Sequence, residues 1–197
     1  MVTGEFTVVP GNEASWEHLQ TVFGTRGDAH RCQCQWFKVR DQDFASLDQP
    51  ELAARLREQV GSGRPGEPTT GLVAFAGEEP VGWVAVEPRS AYPELVRVGR
   101  VPWQGRAEDR HDPNIWAVTC FVTRIGHRRR GVSRALLAGA VAHARAAGAT
   151  AIEGYPMSSD NAILGEYFVG FEQTFLDAGF HVVTRPTKRR SVVRLDF

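Results

Sequence analysis

The feature that most constrains this chain is a strand running straight into a glycine-containing turn and then a long helix. Residues 116–123 read Trp-Ala-Val-Thr-Cys-Phe-Val-Thr, the strongest strand pattern in the sequence. Arg124-Ile125-Gly126-His127-Arg128-Arg129-Arg130-Gly131-Val132-Ser133 follows. Residues 131–147 form the strongest helix pattern: Leu136, Ala140 and Ala144 repeat down one side, Leu137 and Val141 flank them, and Gly148 ends it. Glycine and a small residue at such a turn let backbone approach a ligand closely. The first helical amides have no partner inside the helix, and the helix dipole adds positive potential there. With Arg128, Arg129 and Arg130 at the same turn, the segment is a cradle for a diphosphate.

The remaining pattern supplies a sheet around this unit. Residues 5–9 read as a strand and 13–23 as a helix. Residues 50–60 read as a second helix, with Pro50 in its first turn and Gly61 after its end. The Gly- and Pro-rich stretch 61–70 reads as a mobile loop. Runs 71–76 and 80–87, separated by Gly77-Glu78-Glu79, signal a hairpin. Residues 89–114 form a long, charged connection of the kind that is functional or partly structured. A strand over 151–155, a helix over 168–178 closed by Gly179, and strands over 180–184 and 191–195 joined by a basic turn with Pro186 complete the chain. This order predicts a mixed α/β sheet with helices on both faces, and 197 residues suit one domain, 1–197.

Charge and cysteine usage exclude several functions. Lys plus Arg equals Asp plus Glu at 23 each, which argues against a broad nucleic-acid or anionic-membrane face. No apolar run approaches the roughly 20 residues of a membrane span, and the N-terminus lacks a signal-peptide pattern, so a cytoplasmic location is expected. Cys32 and Cys34 lie too close in an extended segment for an easy disulfide, and Cys120 sits in an apolar run where inert core is expected. The six histidines do not cluster around the cysteines, so no metal is expected.

The turn can be read as a solvated arginine run, as a nucleic-acid patch or as a nucleotide phosphate loop. The last needs a lysine where Val132 stands. The segment resembles the signature of the GNAT superfamily of N-acetyltransferases: Arg or Gln, two residues, Gly, one residue, then Gly or Ala, opening a long helix. Here it reads Arg128, Arg129-Arg130, Gly131, Val132, Ser133, with Ser in the final small position. The order of elements fits from residue 5 to 197. The resemblance implies a mostly antiparallel mixed sheet and transfer of acetyl from acetyl-CoA to a primary amine of a small molecule or peptide. It places the diphosphate at Arg128–Ser133 and the pantetheine arm in a gap beside the strand end Phe121-Val122-Thr123, where a backbone amide would polarise the thioester carbonyl.

The proton-transfer groups are harder to place. The family's usual Tyr, four residues before Gly179, is Phe175, and its usual Asn is Phe168. Residues 157–167 look inserted. Glu153, an ionisable residue in an apolar strand, and Glu87 are the candidate bases, and Tyr155, on the Glu153 side of the strand, is a substitute acid. The stretch 32–37 and the loop 89–114, with Tyr92, Glu94, Trp103, Glu108, Asp109 and Asp112, are candidates for lining a pocket for a cationic amine. The missing Tyr and Asn keep open an alternative, a non-catalytic acyl-CoA-binding module, and homodimerisation also stays open.

Overall fold

Capping residues set where the N-terminal helices begin. In this computed structural model, which describes residues 2–3, 5–97, 102–158 and 164–197, Ser15 accepts a hydrogen bond from the His18 amide and His18 accepts one from the Ser15 amide. This capping box starts α1 (Trp16–Phe23) later than expected, and Gly11–Glu13 form a separate 3-10 turn. Two short helices follow, α2 (Gly27–Cys32) and α3 (Asp41–Phe44). Gln33 and Cys34 then take left-handed φ values of 47° and 54°, so the cysteine stretch coils and is not extended as expected. The reciprocal Asp48–Glu51 box opens α4 (Gln49–Val60), and left-handed Gly61 ends it.

The expected mobile loop 61–70 is anchored. Buried Asn12 donates from Nδ2 to the carbonyls of Arg64 and Glu67, both at 2.8 Å, and the Thr69 hydroxyl donates to the Val60 carbonyl at 2.9 Å. Two polar side chains thus satisfy the loop backbone, which composition alone does not reveal.

The sheet contains β1 (Val2–Thr3), β2 (Phe6–Pro10), β3 (Gly71–Ala76), β4 (Glu79–Pro88), β5 (Ile115–Thr123), β6 (Ala151–Gly154), β7 (His181–Thr187) and β8 (Arg190–Asp196). Their spatial order is β1-β2-β3-β4-β5-β6-β8-β7. Every neighbouring pair is antiparallel except β5 and β6, which are parallel. A parallel pair needs a crossover, here α6 (Val132–Ala146). Pro186 lies inside β7 rather than in the turn; β7 is an edge strand, where a missing backbone donor costs no ladder bond.

Two apolar layers sandwich this sheet. Leu136, Leu137, Ala140 and Ala144 of α6 pack on Val84, Val118 and Ile152 on one face. Gly139 lets α6 lie close to β2, since a Cβ there would come within 2.7 Å of Val8 Cγ1. Phe175 of α7 (Glu172–Asp177) joins the same layer. Leu19, Val22, Phe23, Leu56 and Val60 of α1 and α4 cover Val73, Trp83 and Ala85 on the other face. The helix expected over 168–178 is divided: Leu164–Val169 is 3-10, Gly170 has φ 86°, and α7 starts only at Glu172. The connection 89–114 is partly structured, with a 3-10 turn Arg89–Ala91 and α5 (Pro93–Arg97). Residues 98–101 of that connection and 159–163 of the inserted segment 157–167 lie outside the described residues.

Candidate active site

The site begins where β5 loses one neighbour. Ala85 pairs with Cys120 and Val86 with Val118, so Thr119 is an extra, bulged residue in β5. Pairing with β6 ends one residue earlier, at Val118 and Gly154, and Pro156 follows on the β6 side. From Thr119 to Thr123 the strand keeps β4 on one edge and has no β6 partner on the other. That edge opens into a cavity of about 1010 Å³.

The arginine turn forms one wall. Arg129 and Gly131 take left-handed φ values of 62° and 89°, and a Cβ on Gly131 would meet nothing within 4 Å, so the backbone faces open space. Gly131 is the N-cap of α6 and offers no side-chain acceptor. The first helical bond runs from the Ala135 amide to the Gly131 carbonyl, which leaves the amides of Val132, Ser133 and Arg134 at the free helix end. Of the residues expected to bind the donor, Phe121, Val122, Thr123, Arg128, Arg129, Gly131, Val132 and Ser133 line this cavity. Arg130 does not; it turns outward to an ion pair with Glu5 at 2.7 Å.

Aromatic residues gather on a second part of the wall. Trp36, Phe37 and Phe44 come from the chain around α2 and α3, and Tyr167, Phe168 and Phe171 from the segment before α7. The Phe37 and Phe168 rings lie 6.2 Å apart, so the two groups meet across the cavity. Cys32, Cys34, Trp36 and Phe37 of the stretch 32–37 thus line this cavity, whereas the contribution of 167–171 carried no sequence signal beyond its density of aromatics. Cys32, Cys34 and Cys120 share this wall and are free. Burial and then the neighbouring Cys34 push the Cys32 thiol up to about 12, and a hydrogen bond with Cys34 together with burial holds Cys120 well above the usual thiol value.

Glu153 and Tyr155 lie elsewhere. The Glu153 carboxylate is fully buried and accepts from Arg106 at 2.5 Å, Arg89 at 3.2 Å and the Tyr155 hydroxyl at 3.0 Å. Arg89 and Arg106 also pair with Glu108 and stack on Trp103 at 4.6 and 4.8 Å. This cluster clamps the 89–114 connection onto β6, and neither Glu153 nor Tyr155 lines the cavity. The same holds for the acidic residues of the connection expected to face an amine. Glu94 pairs with Arg97, and Asp109 and Asp112 accept from the backbone amides of His111 and Asn114.

Glu87 also spends its charge locally. It pairs with Lys38 at 2.5 Å and accepts from the Thr70 hydroxyl. Lys38 lies 5.3 Å over the Tyr92 ring. The Tyr92 hydroxyl is buried beside Thr119, Cys34 and Cys120, and burial and then Glu87 push it well above the usual phenol value. Phe175, in the slot of the expected acid, is fully buried and packs edge-on to Phe121 at 6.0 Å. Among the described residues no group of three or more His, Cys, Asp or Glu is arranged to hold a metal ion, and no helix is long and apolar enough to cross a membrane.

The acetyltransferase (GNAT) family model matches residues 34–168. No curated protein matches the chain in sequence. Among solved structures, the PaiA N-acetyltransferase of Thermoplasma acidophilum, in complex with coenzyme A, is 12% identical over 98% of this chain and 99% of its own, with a TM-score of 0.55. YncA from Salmonella typhimurium, solved with its cofactor acetyl-CoA, is 13% identical over 98% and 94%, with a TM-score of 0.54. A GCN5-related N-acetyltransferase from Kribbella flavida is 15% identical over 98% of both chains, with a TM-score of 0.54.

Proposed function

The chain belongs to the acetyltransferase (GNAT) family, and from that premise we propose that residues 1–197 act as one acetyl-CoA-dependent N-acetyltransferase unit with an amine acceptor. The observation that carries this reading is a single cavity bounded by both the uncapped start of α6 and the unpaired edge of β5. The donor's diphosphate is taken by the free amides at Val132 and Ser133, with Arg128 and Arg129 supplying positive charge. The pantetheine arm runs along residues 119–123, whose outward amides and carbonyls offer the pairing that β6 gives up. One of those amides donates to the thioester carbonyl and stabilises the oxyanion that develops there.

The amine nitrogen attacks the thioester carbon, the C–N bond forms, and the C–S bond breaks to release coenzyme A thiolate. A thiol with an ordinary pKa of about 8.5 is a good enough leaving group to depart unprotonated. This suits a cavity in which the family's usual acid is replaced by Phe175. The acceptor enters neutral, and its surplus proton passes to water. Glu153 and Tyr155 serve in this reading as positioning residues that hold the 89–114 connection.

The rival, acyl-CoA binding without transfer, is separated by one experiment. The protein is incubated with acetyl-CoA and a panel of primary amines, and free thiol and acetylated product are followed together. Amine-dependent release of coenzyme A with matching product supports transfer. Tight acetyl-CoA binding with no release for any amine supports the rival.

A further inference from the structure

Beside the α6 start and the β5 edge, the cavity carries a group of aromatic side chains. Six of the lining residues outside the donor segment, Trp36, Phe37, Phe44, Tyr167, Phe168 and Phe171, are aromatic and come from two segments far apart in sequence. Trp36 packs edge-on against Phe44 at 5.3 Å, and Tyr167 lies against Phe171 at 4.8 Å with the rings tilted by 32°. Trp36 and Phe171 remain 46% and 45% exposed, among the few large apolar side chains the described residues leave to solvent. Exposed aromatics that converge on a cavity mark a ligand-binding surface.

Charge decides which ligand. Asp28 is the only carboxylate among the described residues that line the cavity, and it is already paired with Arg31 at 2.5 Å. The other charged side chains there, Arg31, Arg128 and Arg129, are cationic. A diamine or polyamine would bring a second ammonium group to a wall with no free carboxylate to receive it. An arene would instead bury its ring against ring edges and faces, the arrangement that aromatic pairs prefer.

We propose that the acceptor is an arylalkyl amine: one primary amine on a short chain, carried by an aromatic ring that seats among Trp36, Phe37, Phe44, Phe168 and Phe171. The inference rests on the reading of this cavity as an acetyl-transfer site, but it concerns the ring's binding place and can be measured without turnover. During transfer the amine's C–N bond to acetyl forms at the β5 end, the thioester C–S bond breaks, and the ring stays bound and unchanged.

The test compares 2-phenylethylamine and tryptamine with hexylamine and putrescine, each with acetyl-CoA. The expected kcat/KM for the two arylalkyl amines is at least tenfold above either aliphatic amine, a difference of about 1.4 kcal/mol. Trp36→Ala and Phe168→Leu should raise KM for tryptamine at least fivefold while the acetyl-CoA Kd stays within twofold. Trp36 is half exposed, so its variant is expected to fold even if Phe168→Leu does not. In parallel, 2-phenylethylamine binding is followed by calorimetry with coenzyme A present. Saturable binding that both variants weaken, with no transfer to any amine, would uphold the aromatic site and overturn the acetyl-transfer reading. Transfer to putrescine or hexylamine as good as to the arylalkyl amines, or no binding of 2-phenylethylamine, would overturn the aromatic site.

Discussion

The ring of Phe175 occupies the place a side chain on residue 154 would take: a Cβ built on Gly154 would lie 2.3 Å from Phe175 Cε1. Gly154 is also the last β6 residue paired with β5, so this contact sits at the fork where the two strands part. The phenyl ring at the position of the family's usual acid is therefore packing material at the root of the cavity. Gly154→Ala is expected to destabilise the protein by about 1–3 kcal/mol through overpacking. Phe175→Leu in the same chain should return part of that loss. Urea midpoints of the two single variants and the double variant check this; additive losses would mean that the two residues do not share one space.

Ser133 offers a cleaner probe of the donor site than Gly131, whose left-handed φ of 89° strains any replacement. Ser133→Glu places negative charge in the first turn of α6, where it favours the helix dipole yet repels a diphosphate. Acetyl-CoA affinity should fall at least tenfold, about 1.4 kcal/mol, while the melting temperature holds or rises. Calorimetry and a thermal melt report the two effects separately, and an unchanged affinity would move the diphosphate away from α6.

Removing the Glu153 charge should act on stability before chemistry. Glu153 is fully buried between Arg89 and Arg106, themselves buried. Breaking such a group by removing one partner costs about 3–5 kcal/mol, because the remaining charges are left uncompensated. Glu153→Gln is expected to lower the unfolding free energy by that order, with kcat per folded molecule within about threefold of wild type. A stable Glu153→Gln protein with a rate lowered 100-fold would make Glu153 the base after all.

Acid should loosen the same clamp. Burial raises the Glu108 carboxyl, but the hydrogen bond from Arg89 and the charges of Arg106 and Arg89 outweigh it and hold Glu108 below the usual range. A carboxylate with a depressed folded pKa contributes stability that is present above its unfolded value of about 4.3 and is lost as pH falls through the folded value. Stability should therefore drop on the acid side of that value, and Glu108→Gln should flatten the drop. Denaturant unfolding between pH 3 and 7 gives the curve, and identical acid arms for both proteins would remove Glu108 from this account.

The cavity thiols should be slow to react. With Cys32 raised to about 12 and Cys120 held well above the usual value, both are neutral thiols at pH 8. Iodoacetamide labelling at pH 8, read by peptide mass, should modify these two at least tenfold more slowly in the folded protein than in urea. Rapid labelling of Cys120 in the native state would instead identify it as a reactive group beside the bulge.

The strand, turn and helix over 116–147 were legible because their signals are local. A strand-forming apolar run, a glycine at a turn and a four-residue apolar repeat each depend on near neighbours in sequence. Eight of the residues that line the cavity come from that one segment and are among those expected to bind the donor. Helix starts were less legible: the Ser15 and Asp48 boxes are local too, but the break at Gly170 depends on how the segment packs beside β5.

What the sequence determined by itself was the order of strands and helices, the sheet with helices on both faces, and the glycine turn that opens α6, since periodicity and turn chemistry are written in consecutive residues. Tertiary structure alone decided which long-range partners each charged or aromatic side chain meets. It sent Glu153 and the acidic residues of the 89–114 connection into ion pairs and backbone caps, and brought Phe37 within 6.2 Å of Phe168 to close an aromatic wall. The reason is physical: a carboxylate has the same local signature whether it faces a substrate or a buried arginine, and the difference lies in contacts between residues far apart in sequence.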